Sequence, residues 1–467
     1  MPKPPNVLLF FTDDQRFDTI CALGNSQVHT PNLDALVASG TTFTHAHIPG
    51  GTCGAVCMPS RAMLHTGRTL FHIEREGQGI PCEHVALGEH FRDAGYDVFG
   101  TGKWHNGRGS YARSFSAGDE IFFGGMGDHW NVPACRFDPT GQYDKTLPLV
   151  EDPFCSNKVT QRRCDHIEAG THSTDLFVDG TIRFLRDRRS EAPFFLYVSL
   201  MVPHDPRTMP RRFLEMYDPS AIELPPNFRP EHAIDTGALR IRDELLAGFP
   251  RAPGEIRRHI AEYYAMISHL DDAFGRLVSE LREIRELENT VIVFAGDNGL
   301  AVGQHGLMGK QNAYDHSVRV PLLFSGPGIP AGQRADALVY LLDIFPTLCD
   351  LAGLDTPGSV EGKTLAPCLH DPSADMREML YLAYADSIRG VTNGRHKLIE
   401  YACGASQLFD VSSDPWEQND LFDDGISPDL VRDLRAELLR FAAKWDDTDH
   451  PAGREFWAAR QDLGMPG

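Results

Sequence analysis

The chain has 467 residues, 42% hydrophobic and 23% charged, a globular composition that excludes a disordered or fibrous protein. Its length suits one large enzyme domain with a smaller appendage. Lys and Arg total 44 against 65 Asp and Glu, a formal net charge of -21. Most of such a surface repels nucleic acid and anionic membrane, so an anionic substrate requires a local cluster of cations or a metal ion.

The apolar run NVLLFF at 6–11 predicts a buried strand, and PNLDALVASG at 31–40 a helix ending at glycine. ALGEHFRDAG at 86–95 predicts a helix that feeds the strand YDVFGTG, and PFFLYVSL at 193–200 predicts another strand. Over 257–285, Ile260, Tyr264, Ile267, Leu270, Phe274 and Leu277 share one stripe of the longest predicted helix. TVIVFAG at 290–296 follows it as a strand. This alternation predicts an α/β fold, with a large, mostly parallel central sheet and helices on both faces. The segments 124–165 and 205–255, rich in Pro, Gly, Asp and Arg, predict long loops over one sheet edge.

After about residue 375 the pattern changes to short antiparallel strands, with Asn393-Gly394 as a hairpin turn. PDLVRDLRAELLRFAAKW predicts a helix that closes the chain. The expected division is a catalytic domain over 1–375 and a C-terminal α+β subdomain over 376–467 with a short antiparallel sheet. Ten scattered cysteines without a CxxC pair read as reduced thiols. The runs VLLFF and FFLYVSLMV are too short for a signal core or a membrane span. The expectation is a cytoplasmic chain, or a periplasmic or secreted one if a leader is removed before residue 1.

In an open α/β sheet, ligands bind beyond the carboxyl ends of the strands. Four predicted strands stop there on unusual polarity: Thr12-Asp13-Asp14, Lys103-Trp104-His105, Pro203-His204-Asp205 and Asp297-Asn298-Gly299. Any one of them alone reads as a turn, a cap or solvated surface, but the sheet gathers all four at one edge. Asp13, Asp14, Asp297 and Asn298 offer only oxygen, the ligand set of a hard divalent cation, with Ca2+ the best fit. Lys103, His105, His204 and Lys310 add donors and positive charge around it. Such a site suits a tetrahedral oxyanion: phosphate, phosphonate or sulfate.

The stretch GGTCGAVCMPSRAMLHTGR at 50–68 leaves Cys57 open as a packed thiol, a metal ligand, half of a disulfide or a nucleophile. A zinc set of His45, His47, Cys53 and Cys57 matches no common module spacing. CMPSRAMLHTG does resemble the sulfatase signature Cys-x-Pro-Ser-Arg followed by Thr-Gly, here Cys57, Pro59, Ser60, Arg61, Thr66 and Gly67. NVLLFFTDDQ, TPNLDAL, GYDVFGTGKWH, FAGDNG, GLMGKQNAYDHSVRVPLLFSGPG and LFDVSSDPWEQNDL resemble sulfatase segments in the same order, over essentially the whole chain.

The resemblance implies an alkaline-phosphatase-like fold and oxidation of Cys57 to formylglycine by a maturation enzyme that reads Pro59 and Arg61. In the family the hydrated aldehyde attacks sulfur with one hydroxyl, and its second hydroxyl lets the bound sulfate leave. By motif, Asp13, Asp14, Asp297, Asn298 and residue 57 hold Ca2+, Arg61 and His105 orient and activate residue 57, and Lys103 and Lys310 bind sulfate oxygens. His204 resembles the histidine that contacts sulfate and protonates the leaving oxygen. His305 is a second candidate for that acid or a substrate contact, and Arg207 a candidate substrate contact.

The implied substrate is a sulfated mono- or oligosaccharide. Two rivals stand beside this reading. One is a phosphonate monoester or phosphodiester hydrolase of the same superfamily, against which Asn298 leans, since many of those enzymes carry Asp-His there. The other is a non-catalytic carbohydrate-binding relative with an unmodified Cys57.

Overall fold

The computed structural model describes residues 4–150, 152, 154–422 and 428–464. Its large sheet comprises β1 (Asn6–Thr12), β2 (Thr41–His47), β3 (Asp97–Trp104), β4 (Ala117–Phe123), β5 (Phe194–Ser199), β6 (Thr290–Gly296), β7 (Leu322–Ser325) and β8 (Gln333–Tyr340). The eight strands lie in the order β8-β2-β7-β6-β1-β5-β3-β4. Their pairings are parallel except that β7 runs antiparallel to both β6 and β2. The expectation of a mostly parallel sheet therefore holds.

β1 explains why its sequence is one unbroken apolar run. Val7, Leu9 and Phe11 enter the core on one face of the sheet, and Leu8 and Phe10 the core on the other. A strand covered on both faces has no solvent side to alternate with. The helices that cover it are α1 (Pro31–Ser39), α2 (Cys57–Thr66), α3 (Leu87–Asp93), α4 (Ser173–Asp187), α5 (Pro253–Glu283) and α6 (Ile344–Ala352). Leu33 of α1, Phe177 of α4 and the stripe of α5 pack on one face, and Leu64 of α2, Phe91 of α3 and Leu348 of α6 on the other. Helix α5 starts four residues earlier than the apolar stripe suggests, because Pro253 occupies its first position, where no amide donor is needed.

A second sheet contains β9 (Leu380–Tyr384), β10 (Ile388–Thr392), β11 (His396–Tyr401) and β12 (Ser406–Asp410), each antiparallel to the next, with Asn393-Gly394 between β10 and β11. Its fifth strand comes from far away in sequence: Gly50–Gly51 pairs in parallel with β9. Gly50 has φ 115°, and a Cβ there would stand 2.0 Å from the Ala383 carbonyl oxygen, so only glycine fits. The C-terminal sheet thus anchors the segment that leads into Cys57. Helix α7 (Pro428–Lys444) does not close the chain as expected, since α8 (Pro451–Ala459) follows and packs Phe456 and Trp457 into the same core. The segments read as loops hold an outlying hairpin, Thr146–Val150 with Val159–Arg163, and a short helix, Arg211–Leu214.

One buried ion pair ties α8 to the second sheet. Asp447 accepts bonds from Arg389 Nε and Nη2 at 2.7 and 2.8 Å, from the Tyr381 hydroxyl at 2.7 Å and from Trp457 Nε1 at 2.9 Å. Asp447→Ala strands the Arg389 charge in the core, where an unpaired ion costs about 3–5 kcal/mol. Urea unfolding should show that loss; a change under about 1 kcal/mol would contradict it.

Candidate active site

The site forms where β1 and β6 run out together. Thr12 pairs with Gly296, so the next residues, Asp13 and Asp297, emerge side by side, and the Asp297 amide donates to the Thr12 carbonyl at 3.0 Å. Asp14 turns back with φ 64°, and its amide donates to Asp297 Oδ1 at 3.0 Å. The Tyr263 hydroxyl, reaching from α5, fixes this turn by donating to the Asp14 carbonyl at 2.6 Å. Lys103 arrives at the end of β3 and His204 just beyond β5.

Cys57 is the first residue of α2, and the signature around it explains itself locally. Pro59 falls in the first turn, where helices tolerate it. Ser60 Oγ donates to the Asp297 carbonyl at 2.5 Å, clamping the helix to the end of β6. Gly67 ends the helix in the left-handed conformation, φ 63°, with its amide on the Met63 carbonyl at 2.8 Å. Arg61, one turn after Cys57, donates to Asp297 Oδ2 through Nε at 2.9 Å, with Nη2 in ion-pair contact with the same oxygen at 2.9 Å, and its Nη1 reaches Ser199 Oγ at 2.6 Å. Its hydrogen bonds therefore go to Asp297, to Tyr197 and Ser199 of β5 and to the Lys103 carbonyl rather than to Cys57.

Cys57 Sγ lies 3.5 Å from both Lys103 Nζ and His105 Nδ1. Lys103 Nζ also bonds Asp13 Oδ2, while Lys310 Nζ bonds Asp14 Oδ1 at 2.5 Å. Asn298 Nδ2 donates to Asp14 Oδ1 at 2.6 Å, and His204 Nε2 stands 3.6 Å from Asp14 Oδ2. The structure thus brings together Asp13, Asp14, Cys57, Arg61, Lys103, His105, His204, Asp297, Asn298 and Lys310. All are buried except His105, which is half-buried.

The donor set fits a hard cation. Single ligand atoms of Asp13, Cys57 and Asp297 lie within 4.8 Å of one another. Asp13 Oδ1 and Asn298 Oδ1 are buried oxygens without a hydrogen-bond partner among the described residues, which leaves their lone pairs free for an ion. Electrostatics point the same way. Burial alone would raise the Asp13 carboxyl, but Lys103, His204, Arg61 and Lys310 outweigh it and hold it below the usual carboxylate range. Burial and the neighbouring Asp13 charge push Asp297 upward, against Arg61 and Lys103. A dication between the two removes that repulsion.

The other groups are tuned as well. Burial, only partly offset by Lys103 and Lys310, raises the Cys57 thiol above its ordinary value, so the unmodified side chain is not a thiolate. Burial together with Lys103 and Arg61 lowers His105 and keeps it neutral. Burial would lower Lys103 and Lys310, but Asp13 and Asp14 respectively outweigh it and keep both charged.

Two expected residues sit differently. His305 stacks on Tyr314 with ring centroids 4.0 Å apart and bonds Asn227 through Nε2 at 3.1 Å. Arg207 Nη1 pairs with His259 Nδ1 at 2.8 Å, while its Nε and Nη2 are buried without partners. Neither side chain hydrogen-bonds a member of the Cys57 cluster. Sequence reasoning missed His129, whose Nε2 bonds the His204 carbonyl at 3.1 Å, and Asn106, which donates to the Met58 carbonyl at 3.0 Å and so supports the start of α2. His129 stands in no motif; Asn106 adjoins His105, the one signal that pointed its way.

Comparison with known proteins bears on this geometry. Residues 5–354 match the sequence model of the family described as Sulfatase, and residues 303–444 that described as N-sulphoglucosamine sulphohydrolase, C-terminal. The chain is 30% identical over 464 residues to an ulvan-active sulfatase of Formosa agariphila, covering 96% of this chain and 82% of that protein. A solved protein bound to its substrate D-glucosamine-2-N,6-O-disulfate shares the fold with TM-score 0.77 at 22% identity, covering 96% of this chain and 99% of the other. The phosphonate monoester hydrolase of Agrobacterium radiobacter superposes with TM-score 0.71 at 22% identity, over 98% and 96% of the two chains.

Proposed function

This chain belongs to the sulfatase family and is an enzyme, a sulfuric ester hydrolase, and we propose that it cleaves sulfate monoesters on carbohydrates with Cys57 oxidised to formylglycine beside a Ca2+ ion. The observation that carries this reading is Cys57 Sγ at 3.5 Å from both Lys103 Nζ and His105 Nδ1, against the carboxylates of Asp13 and Asp297. When present, the hydrated aldehyde supplies an oxygen nucleophile and the ion supplies Lewis-acid pull on the sulfate. Conversion at Cys57 calls on a formylglycine-generating enzyme as maturation partner.

The chain's own residues divide the remaining work. Asp13, Asp14, Asp297 and Asn298 hold the ion, and Arg61 fixes Asp297 in place for it. Three buried cations, Arg61, Lys103 and Lys310, already balance three buried carboxylates, Asp13, Asp14 and Asp297. Added dication charge leaves the pocket positive, and that surplus attracts an oxyanion into an otherwise acidic protein. Lys103 and Lys310 bind its oxygens. Neutral His105 accepts a proton from the side chain at position 57. His204 Nδ1 bonds the Asp205 carbonyl at 2.7 Å and so must carry its hydrogen, which leaves Nε2 to exchange a proton with the leaving oxygen.

The carbohydrate reading draws support from relatives: ulvan is the substrate named for the Formosa enzyme, and a disulfated glucosamine is bound in the solved complex. Resemblance to a phosphonate monoester hydrolase keeps one competing chemistry in view. Side-by-side turnover of 4-nitrophenyl sulfate and bis(4-nitrophenyl) phosphate separates them. A preference for the sulfate of about 100-fold or more is the expected result, and a preference for the diester would overturn the assignment.

A further inference from the structure

Apart from the Cys57 cluster, the chain surrounds a hollow of about 500 Å3 that shares none of that cluster's residues. It lies where the loop after β1, the start of β2, the approach to β7 and residues 223–226 meet Trp416. That volume is the size of a small-ligand site. Arg16, in its wall, comes two residues after Asp14, and Gln304, also in its wall, one residue before His305. The hollow therefore backs onto the loops that build the catalytic cluster. Trp416 joins it to the same loops, because its carbonyl accepts from Asn227 Nδ2 at 2.7 Å and Asn227 bonds His305.

Charge decides which ligand class fits. Arg16 is neutralised by Asp18, bonded through Nε at 2.7 Å and Nη2 at 3.0 Å. Arg319 bonds Asp315 at 3.2 Å and lies over the Phe17 ring at 4.2 Å. Among the described residues Arg334 bonds only the Ala22 carbonyl, at 3.0 Å, but Glu223 lines the same hollow. Lys397 also bonds Asp315 and reaches Glu417 at 2.7 Å, so four cations here meet four carboxylates and no net positive charge remains for a sulfate or phosphate. An apolar ligand fits no better. Arg16 Nη1, Thr42 Oγ1 and Gln304 Nε2, in residues of the wall, are buried without partners among the described residues, and pairing them takes hydroxyl groups or water ordered by such groups.

Trp416, half-buried, joins Leu23, Leu224, Pro225 and Ile260 as the apolar part of this wall. A ligand with a hydroxyl rim and an apolar C–H face matches both features. We propose that this hollow binds an uncharged saccharide unit, separately from the sulfate ester undergoing hydrolysis. That the saccharide belongs to the same glycan rests on the carbohydrate reading above; the chemistry of the hollow does not.

Isothermal titration with unsulfated neoagarohexaose, cellohexaose and chitin hexasaccharide tests it on the intact chain. At least one of the three should bind wild type and Cys57→Ala equally, about tenfold or more weaker in Trp416→Ala and about threefold or more weaker in the exposed Arg334→Ala. Both hollow variants should keep wild-type turnover of 4-nitrophenyl sulfate. Binding by none of the three sugars overturns the inference, as does unchanged binding in Arg334→Ala together with Trp416→Ala. Saccharide binding lost in these variants, in a protein that hydrolyses no sulfate ester, supports the hollow while overturning the functional reading. Sulfate-ester turnover without saccharide binding does the reverse.

Discussion

Cys57→Ala should lower kcat/KM for sulfate esters by about 10^4-fold or more while leaving the folded structure intact. The side chain is small and buried at the start of α2, and the contacts that hold the helix there belong to Ser60, Arg61 and Gly67 instead. On the proposed mechanism, removing it takes away the reacting group and spares Lys103 and Lys310. Residual turnover then reflects binding and electrostatics alone, which is why the loss is large and not total. The raised thiol pKa sharpens the point. A protonated, buried thiol is a poor nucleophile, which supports the proposal that the oxidised side chain does the chemistry. Near-ultraviolet circular dichroism and the melting temperature of the variant should match wild type. A variant that keeps a tenth of wild-type turnover would remove residue 57 from the chemistry.

Asp13→Asn should cost about 100-fold or more in turnover and abolish stabilisation by Ca2+. Wild type, freed of divalent ions with a chelator and then titrated, should gain about 2.7 kcal/mol at a Ca2+ concentration a hundred times the dissociation constant. The gain has a physical source beyond simple binding. Without an ion, Asp13 and Asp297 oppose one another at the end of β1 and β6, paired with Lys103 and Arg61 respectively. The asparagine keeps one oxygen but removes the charge that faces both the ion and Lys103, so melting of the variant should not respond to Ca2+. A wild-type melting temperature indifferent to Ca2+, or a variant that responds as wild type does, would contradict the assigned ligand set.

Strands buried on both faces were the most legible part of this chain. β1, β3, β5 and β6 each stand out as an apolar run, and the polar residues just past their ends could therefore be assigned to one edge without coordinates. β2 was illegible because TTFTHAH carries threonine and histidine where its neighbours carry leucine, although most of it is buried. β7 is four residues long and reverses direction, neither of which a local pattern can signal. Helix α4 hid behind Gly180, which costs helix propensity but allows Glu120 to approach within 3.2 Å of where its Cβ would lie. Pro59 likewise lowers the helix propensity of α2.

Within the site, the identity of the cluster was legible and its wiring was not. Residues 57 and 61 lie one turn apart on a helix, yet only the fold shows Arg61 gripping Asp297 and Ser199 instead of residue 57. His305 and Arg207 occupy loops whose motifs resemble contact residues, but Tyr314 and His259 hold them. The link from Gly50–Gly51 to β9 spans more than 300 residues, and nothing in either segment announces it.

The oxidation state of one side chain is the most direct test. Protein expressed in a host that carries the formylglycine-generating enzyme, and shown to hydrolyse a sulfate ester, should yield by mass spectrometry a residue 57 peptide bearing an aldehyde, trapped by a hydrazide probe. A preparation of full activity whose residue 57 is entirely thiol would contradict the account.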